Sequence, residues 1–473
     1  MEYNFIEEPL LDFGKDSHFC PRQGISNYDV YDTRFTARKT ELLVGVVGLA
    51  EDIESFNKWI DRCRGFIPSK TENKQPQLFT HFCGFNENTG FRSKFIVSSE
   101  ITRPINNSDI KELLKIKNSD ERILQAVDLF YNHIKFIAQN KLVDVIVCVI
   151  PKVFENKIVL LKEDKEIEES LNKEEEPELE INFRRALKAK TMYLGKPLQL
   201  IREYSLTNSN KGQDDATKAW NFSTALYYKA IQTVPWKLKR DINLPTVCFV
   251  GISFYKSRDK KTTQTSIAQI FNERGNGVIL RGTPVEIDKI VRQPHLSELQ
   301  AYELLKSALQ EYKFALDTNP ARLVLHKSSN YSQGELEGFR NAIYELGINS
   351  VDFITIKETD IKFFRDGLYP PQRGSMISLT EKSHILYTRG SVDYYRTYPS
   401  MYIPSPLEIR IIENDTSPKI VCEEILALSK MNWNNTQFDG KYPITIACAR
   451  RVGEIMKYLE NTDKPQIRYA FYM

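Results

Sequence analysis

Two unbroken apolar runs, Leu42–Leu49 and Val143–Ile150, limit what this chain can fold into. Neither run alternates polar with apolar residues, so each must be covered on both faces, as strands of a parallel sheet are. Gly45 and Gly48 lie in the first run without the three-glycine spacing of a dinucleotide fingerprint. After it the spacing predicts a helix over Glu51–Cys63, with Ile53, Phe56, Ile60 and Cys63 on one stripe. Phe91–Val97 reads as a further strand. Ser108–Asn140 reads as helix, broken near Lys117–Ser119. Strand, helix, strand, helix with apolar strands is a parallel α/β pattern. Such sheets take ligands beyond the carboxyl ends of their strands.

At 473 residues the chain has room for two or more domains, each with its own core. Its net charge of +3 does not announce a nucleic-acid binder, so any basic groove must be local. Seven scattered cysteines form no C-x-x-C pair, which argues against zinc and fits reduced thiols in a cytosol. The N-terminus lacks the basic start and apolar core of a signal peptide. The apolar runs are too short to span a bilayer.

The most informative polar stretch is Asn182–Lys190, followed by Gly195–Gln199. Asn182 suits a helix cap, and Arg184 and Lys188 are four apart on one helical face. Gln199 falls in a short strand, Leu198–Ile201. A helix over Ala216–Ala230 carries Lys229 near its end. Two cations, an amide and a helix start are what a terminal phosphate requires. On spacing alone a solvated basic face is the simpler account. Before this stretch, residues 162–180 are dense in acid and read as a solvated insertion or, alternatively, an electrostatic lid.

A boundary falls at Trp236–Leu244. Beyond it, Thr246–Ser253, Thr265–Phe271 and Val278–Arg281 suggest an antiparallel meander, with Asn276-Gly277 as a turn signal. A helix over Ser297–Phe314 follows, with Leu299, Leu304, Leu305, Leu309 and Tyr312 toward its apolar side. Then come a strand over Arg322–His326, a helix over Ser332–Leu346 and a strand over Val351–Ile356. Helices over Glu423–Ser429 and Pro443–Leu459 end the pattern.

Asn182–Lys190, Gly195–Gln199, Asn221–Lys229 and Pro235–Leu238 together resemble the MID domain of short prokaryotic Argonautes. The C-terminal half is similar to the PIWI domain of that family. The resemblance implies an α/β chain: a Rossmann-like parallel-sheet MID domain at 1–236, then a ribonuclease-H-like PIWI domain at 237–473. In the family, an Arg, Tyr or His followed four residues on by Lys, then a strand Gln and a helix Lys, hold the 5′-phosphate of a guide. Those roles pass to Arg184, Lys188, Gln199 and Lys229. The family's C-terminal carboxylate helps hold magnesium at that phosphate, which points to Met473. Without the resemblance, the apolar tail Ile467–Met473 reads as a segment that merely packs.

The resemblance also shows departures. Ribonuclease-H chemistry needs clustered carboxylates around two metal ions. Cleaving relatives carry Asp where this chain has Ser253, in Gly251–Ser253, and Ser328, after His326. A further ligand position aligns with Cys448. A hydroxyl cannot replace a carboxylate on magnesium. Glu335, Glu337 and Asp366 are read as surface acids. His295, His326 and His384 are isolated and read as structural. Lys256, Arg258, Lys260 and Lys261 either line a nucleic-acid channel or sit on a solvated turn.

The expectation is a non-cleaving, cytoplasmic prokaryotic Argonaute. It would take a small guide RNA and find complementary single-stranded DNA of plasmids or phages. It would then activate a partner carrying an APAZ domain and a sirtuin- or TIR-type NAD-consuming effector, in abortive infection. The Cys20–Ile25 pattern is closer to the sirtuin-linked branch. One alternative is a nuclease with a rebuilt metal site or an APAZ-nuclease partner. Another is a two-domain small-molecule-binding protein.

Overall fold

The computed structural model describes residues 1–70, 72, 76–155, 157–158, 181–207, 213–239, 245–258, 262–271, 277–287, 293–395, 398, 403–459 and 465–473. The acidic stretch 162–180, Lys260, Lys261 and Asn276 lie outside these residues, as does 240–244 of the boundary segment.

The chain opens with three short strands, β1 (Glu2–Phe5), β2 (Leu11–Asp12) and β3 (Ser17–His18), and the helix α1 (Pro21–Tyr28). The first apolar run forms β4 (Glu41–Leu49), and α2 (Ala50–Arg64) follows directly. Then come β5 (Lys94–Ile96), β6 (Thr102–Ile105), α3 (Asn107–Leu113) and α4 (Ser119–Asn140). The break expected near 117–119 is real. Asn118 caps α4 by accepting from Glu121 N at 2.9 Å. The second apolar run forms β7 (Val145–Ile150), all six residues buried. α5 (Phe183–Thr191), β8 (Leu198–Arg202), α6 (Glu203–Thr207) and α7 (Asp215–Ile231) complete this part.

β5, β4, β7 and β8 are neighbours in that order, β6 also pairs β4, and every pairing is parallel. The sheet is thus covered on both sides, as its unbroken apolar strands require. One apolar cluster, with Phe56, Trp59 and Trp220, lies on one face; another, with Phe130, Phe154 and Phe183, lies on the other.

After β9 (Lys237–Leu238) the second sheet begins. β10 (Val247–Lys256), β11 (Thr263–Phe271) and β12 (Gly277–Ile287) form the expected antiparallel meander. β13 (Pro294–His295) adds to its edge. α8 (Glu298–Leu316) and α9 (Gln333–Glu345) each start in a capping box, at Ser297 with Gln300 and at Ser332 with Glu335. Between them β14 (Arg322–Lys327) lies parallel to β10, and β15 (Ser350–Glu358) lies parallel to β14. α8 and α9 cross closely: a Cβ at Gly338 would meet the Glu298 carbonyl oxygen at 2.1 Å. Leu299 departs from its expected place and is 63% exposed, because Ala301 and Ala308 join Leu304, Leu305, Leu309 and Tyr312 on the buried side.

β16 (Ser375–Ser378), β17 (Ser383–Leu386) and β18 (Leu407–Glu413) extend this sheet to ten strands. Its far edge is β1, paired antiparallel with β16 in the register Phe5 to Ser375. α10 (Pro418–Leu428) and α11 (Ile444–Met456) pack on it. α11 lies so close to β10 that a Cβ at Gly251 would sit 2.3 Å from the Thr445 carbonyl oxygen.

The two sheets meet over buried aromatics. Trp236 donates to the Lys430 carbonyl at 3.2 Å, Trp433 donates to the Trp236 carbonyl at 3.1 Å, and Tyr228 stacks on Trp433. No described helix is long and apolar enough to cross a membrane.

Candidate nucleic-acid interface

Asn182 caps α5, accepting from Arg185 N at 3.0 Å, and its own amide donates to Tyr458 Oη at 2.9 Å. Arg185 pairs with Glu454 of α11 at 2.5 Å. These contacts dock the start of α5 against the end of α11. Arg184 and Lys188 then share one face of α5. β8 brings Gln199 beside them, and α7 brings Lys229, whose Nζ donates to Gln199 Oε1. Lys188 Nζ donates to the backbone oxygen of Met473. The structure therefore gathers the five residues singled out from the sequence: Arg184, Lys188, Gln199, Lys229 and Met473.

It also supplies a cation the sequence did not point to. Arg451 of α11 acts on both lysines. Its one legible signal is its place one helical turn after Cys448.

The electrostatics of this cluster are unusual. Lys229 is 1% exposed. Burial, then repulsion by Arg451 and Arg184, pulls its ammonium down from 10.5 to about 7. Loss of water also holds Lys188 well below its ordinary range, and Lys229, Arg451, Arg184 and Arg185 lower it further. No carboxylate side chain is among the groups that shift either lysine. Cations that lower one another in this way suit a ligand that brings its own negative charge.

The C-terminal tail is tied down. Tyr469, Ala470, Phe471, Tyr472 and Met473 are all buried in the cluster that holds Tyr228 and Trp433. Cys448 belongs to this cluster, and its thiol hydrogen-bonds the Tyr469 side chain.

Ser253 lies in β10, and Ser328 directly follows the neighbouring β14. Ile252 pairs with Lys327, and Ser328 N donates to Ile252 O at 3.2 Å. Of the acids read as surface groups, Glu335 is the exception, being 0% exposed. Its carboxylate accepts from Lys327 Nζ at 2.6 and 2.7 Å, from Leu296 N at 2.9 Å and from Ser332 N at 2.8 Å. The capping-box position carries it inward, which the sequence alone did not reveal. Among the described residues no three His, Cys, Asp or Glu side chains converge to hold a metal ion.

The three histidines are bound structurally: His295 to Glu335, His326 to Thr445 Oγ1 at 2.9 Å and His384 to Ser378 Oγ at 3.0 Å. Burial lowers His326 to about 3, so it is neutral. Lys256 and Arg258 are exposed, and Arg258 lies over the Tyr458 ring at 5.8 Å.

No family model matches the chain. A protein argonaute of Aquifex aeolicus is 24% identical over 229 residues, 47% of this chain and 29% of that relative. Clostridium butyricum Argonaute, solved with a guide DNA and a 19-mer target DNA, superposes with a TM-score of 0.69 at 17% identity. The match covers 99% of this chain and 54% of that one. Marinitoga piezophila Argonaute, solved with a 5′ OH guide RNA, gives a TM-score of 0.58 at 14% identity, covering 100% of this chain and 59% of that one. The chain thus spans under a third of that curated relative and somewhat over half of these two structures. Throughout its length, the fold of this chain is the fold of Argonautes.

Proposed function

We propose that this chain is a nucleic-acid-guided recognition protein of the short Argonaute kind, anchoring a guide RNA by its 5′-phosphate and pairing it with target DNA. The observation that carries this reading is the cluster of Arg184, Lys188, Lys229 and Arg451, with Lys229 buried and donating to Gln199. A phosphate dianion would offset the repulsion that these cations impose on Lys188 and Lys229. The guide then reads sequence by pairing, while the protein holds backbone geometry.

Magnesium would join at the same place. Four cations and one backbone oxygen do not suit a bare divalent ion. The Met473 oxygen beside Lys188 suits one that enters with the phosphate. The ion would supply further charge neutralisation at the guide end.

We further propose that the chain does not cleave its target. Ser253 in β10 and Ser328 just after β14 offer hydroxyls, and Glu335 is committed to Lys327. Activity would then reside in a partner chain, an APAZ-domain protein with an NAD-consuming effector. Such a partner would act in defence against plasmids and phages.

The test is binding of 5′-phosphorylated and 5′-hydroxyl RNA to the wild type and to Lys188→Ala/Lys229→Ala. The double variant should lose the preference for phosphate. Equal weakening for both strands refutes the assignment, and indifference to both substitutions favours a small-molecule binder. A product from guided target DNA, abolished by EDTA, would revive the nuclease reading.

A further inference from the structure

The ten-stranded sheet ends differently at its two edges. One edge is β13, two residues long, and its Pro294 cannot donate to a further strand. The other is β1, and among the described residues no strand lies beyond it. Sheets commonly blunt such an edge with Lys, Pro or a bulge. β1 has none of these, and its register on β16 runs unbroken from Glu2 to Phe5.

Ile6 N donates to Gly374 O at 2.9 Å, continuing that register by one residue. By antiparallel alternation, Asn4 and Glu2 also turn their backbone N–H and C=O toward β16, and Tyr3 and Phe5 turn theirs outward. The Tyr3 and Phe5 side chains, 59% and 44% exposed, lie on the sheet face that carries Ile377 and Ile385. Ile377, Ile385 and Tyr387 form a small apolar cluster there, with Phe363 packed against it. Phe363 N donates to Tyr387 Oη at 2.8 Å, and Tyr387 N donates to Ser375 O at 2.9 Å, Ser375 being the residue opposite Phe5. Phe364 and Leu368, on the loop that Phe363 anchors, are almost wholly exposed. An unpaired strand edge and an apolar shelf thus share one face of the sheet.

The sequence of β1 meets the demands of this edge itself. A second β1 laid antiparallel, with Asn4 opposite Asn4, sets Tyr3 of one copy against Phe5 of the other, twice. Both members of each pair have outward N–H and C=O groups, so each is a hydrogen-bonded pair. Both pairs are aromatic, and Glu2 falls opposite Ile6, so like charges do not meet. A shift by one residue sets outward groups against inward ones. A shift by two leaves a single aromatic pair, on the axis. The two-fold axis stands perpendicular to the sheet, so the apolar shelves of both copies lie on one side.

We infer that a second copy of this chain docks here, adding its own β1 and joining two ten-stranded sheets across a two-fold axis at Asn4. This pairing is independent of the guide-binding reading.

The test is sedimentation of the full chain from about 1 to about 100 μM, with crosslinking to read the register. The wild type should pass from monomer to dimer over that range, as a small interface does. Asn4→Cys should give a disulfide-linked dimer under mild oxidant, because Cα atoms of a non-hydrogen-bonded pair lie about 4.5 Å apart. Glu2→Cys, which faces Ile6, should crosslink about ten-fold less. Six of the seven native cysteines are buried, and the wild type serves as the blank. Tyr3→Lys/Phe5→Lys sets like charges opposite each other and should weaken the dimer about ten-fold or more, whereas Tyr3→Lys/Phe5→Glu sets opposite charges there and should recover part of the loss. Preference for 5′-phosphorylated RNA should be the same in every variant. A wild type that stays monomeric overturns the inference. So does a dimer that survives Tyr3→Lys/Phe5→Lys, or Glu2→Cys crosslinking as well as Asn4→Cys. Crosslinking of Asn4→Cys only to a different protein assigns the edge to a foreign strand and overturns self-pairing. If the charge variants unfold at lower urea than the wild type, the contrast between Asn4→Cys and Glu2→Cys decides alone.

Discussion

Lys229 should make guide binding depend on pH in a way that separates phosphate from hydroxyl. Its ammonium titrates at about 7 in the unliganded protein, because it is buried and faces Arg451 and Arg184. A bound phosphate dianion reverses that environment and returns the lysine toward 10.5. Binding must then take up a proton at any pH above 7. Half of Lys229 is charged at pH 7 and about one part in a hundred at pH 9, so affinity should fall about fifty-fold between them. Lys188 is lowered as well and steepens the fall. Below pH 6 the phosphate itself begins to protonate, so affinity should peak near pH 6.5. Without ligand the sign is opposite. A lysine whose folded pKa is depressed binds fewer protons than in the unfolded chain, so stability rises with pH from about 7 to 10.5. At constant ionic strength, fluorescence anisotropy with 5′-phosphorylated and 5′-hydroxyl RNA measures the first effect, and urea unfolding measures the second. Arginine stays charged, so Lys229→Arg should flatten the profile. An equal slope for the hydroxyl strand, or an undiminished slope in Lys229→Arg, would refute the reasoning.

Other perturbations follow from the same physical picture. Glu335→Gln strands the buried Lys327 ammonium, and urea unfolding should register a loss of about 3–5 kcal/mol; a loss under about 1 kcal/mol would contradict the ion pair. Gly338→Ala forces apart the α8–α9 crossing at Glu298, and the unfolding free energy in urea should fall by about 1–3 kcal/mol. Magnesium should tighten 5′-phosphorylated RNA by more than 5′-hydroxyl RNA. Calorimetry should detect no magnesium binding to the RNA-free protein at this site, and such binding would contradict joint entry with the phosphate.

The parallel sheet was legible because Leu42–Leu49 and Val143–Ile150 have no polar face to offer water. The capped helices were legible because Asn118, Asn182, Ser297 and Ser332 each precede a periodic run. Arg184, Lys188, Gln199 and Lys229 were singled out by the family resemblance, since on spacing alone a solvated basic face was the simpler account. Arg451 was not, since it reaches the site from a helix more than 200 residues away, and its place one turn after Cys448 does not name the phosphate cluster as the destination. Glu335 was misplaced for a related reason. A capping box marks a helix start but not whether that start is buried, and only the approach of Lys327 decides it.

The pairing of β1 with β16 has a kinetic meaning. Phe5 is synthesised 370 residues before Ser375, its partner in the sheet. At ribosomal rates of about 5–20 residues per second, the first strand waits about 20–70 s for its neighbour to be made. Through that interval Tyr3 and Phe5 belong to a strand with nothing to pair with. The outer edge of the second sheet therefore forms late, after a long loop closes. An N-terminal tag that slows this closure would extend the life of an unfinished sheet.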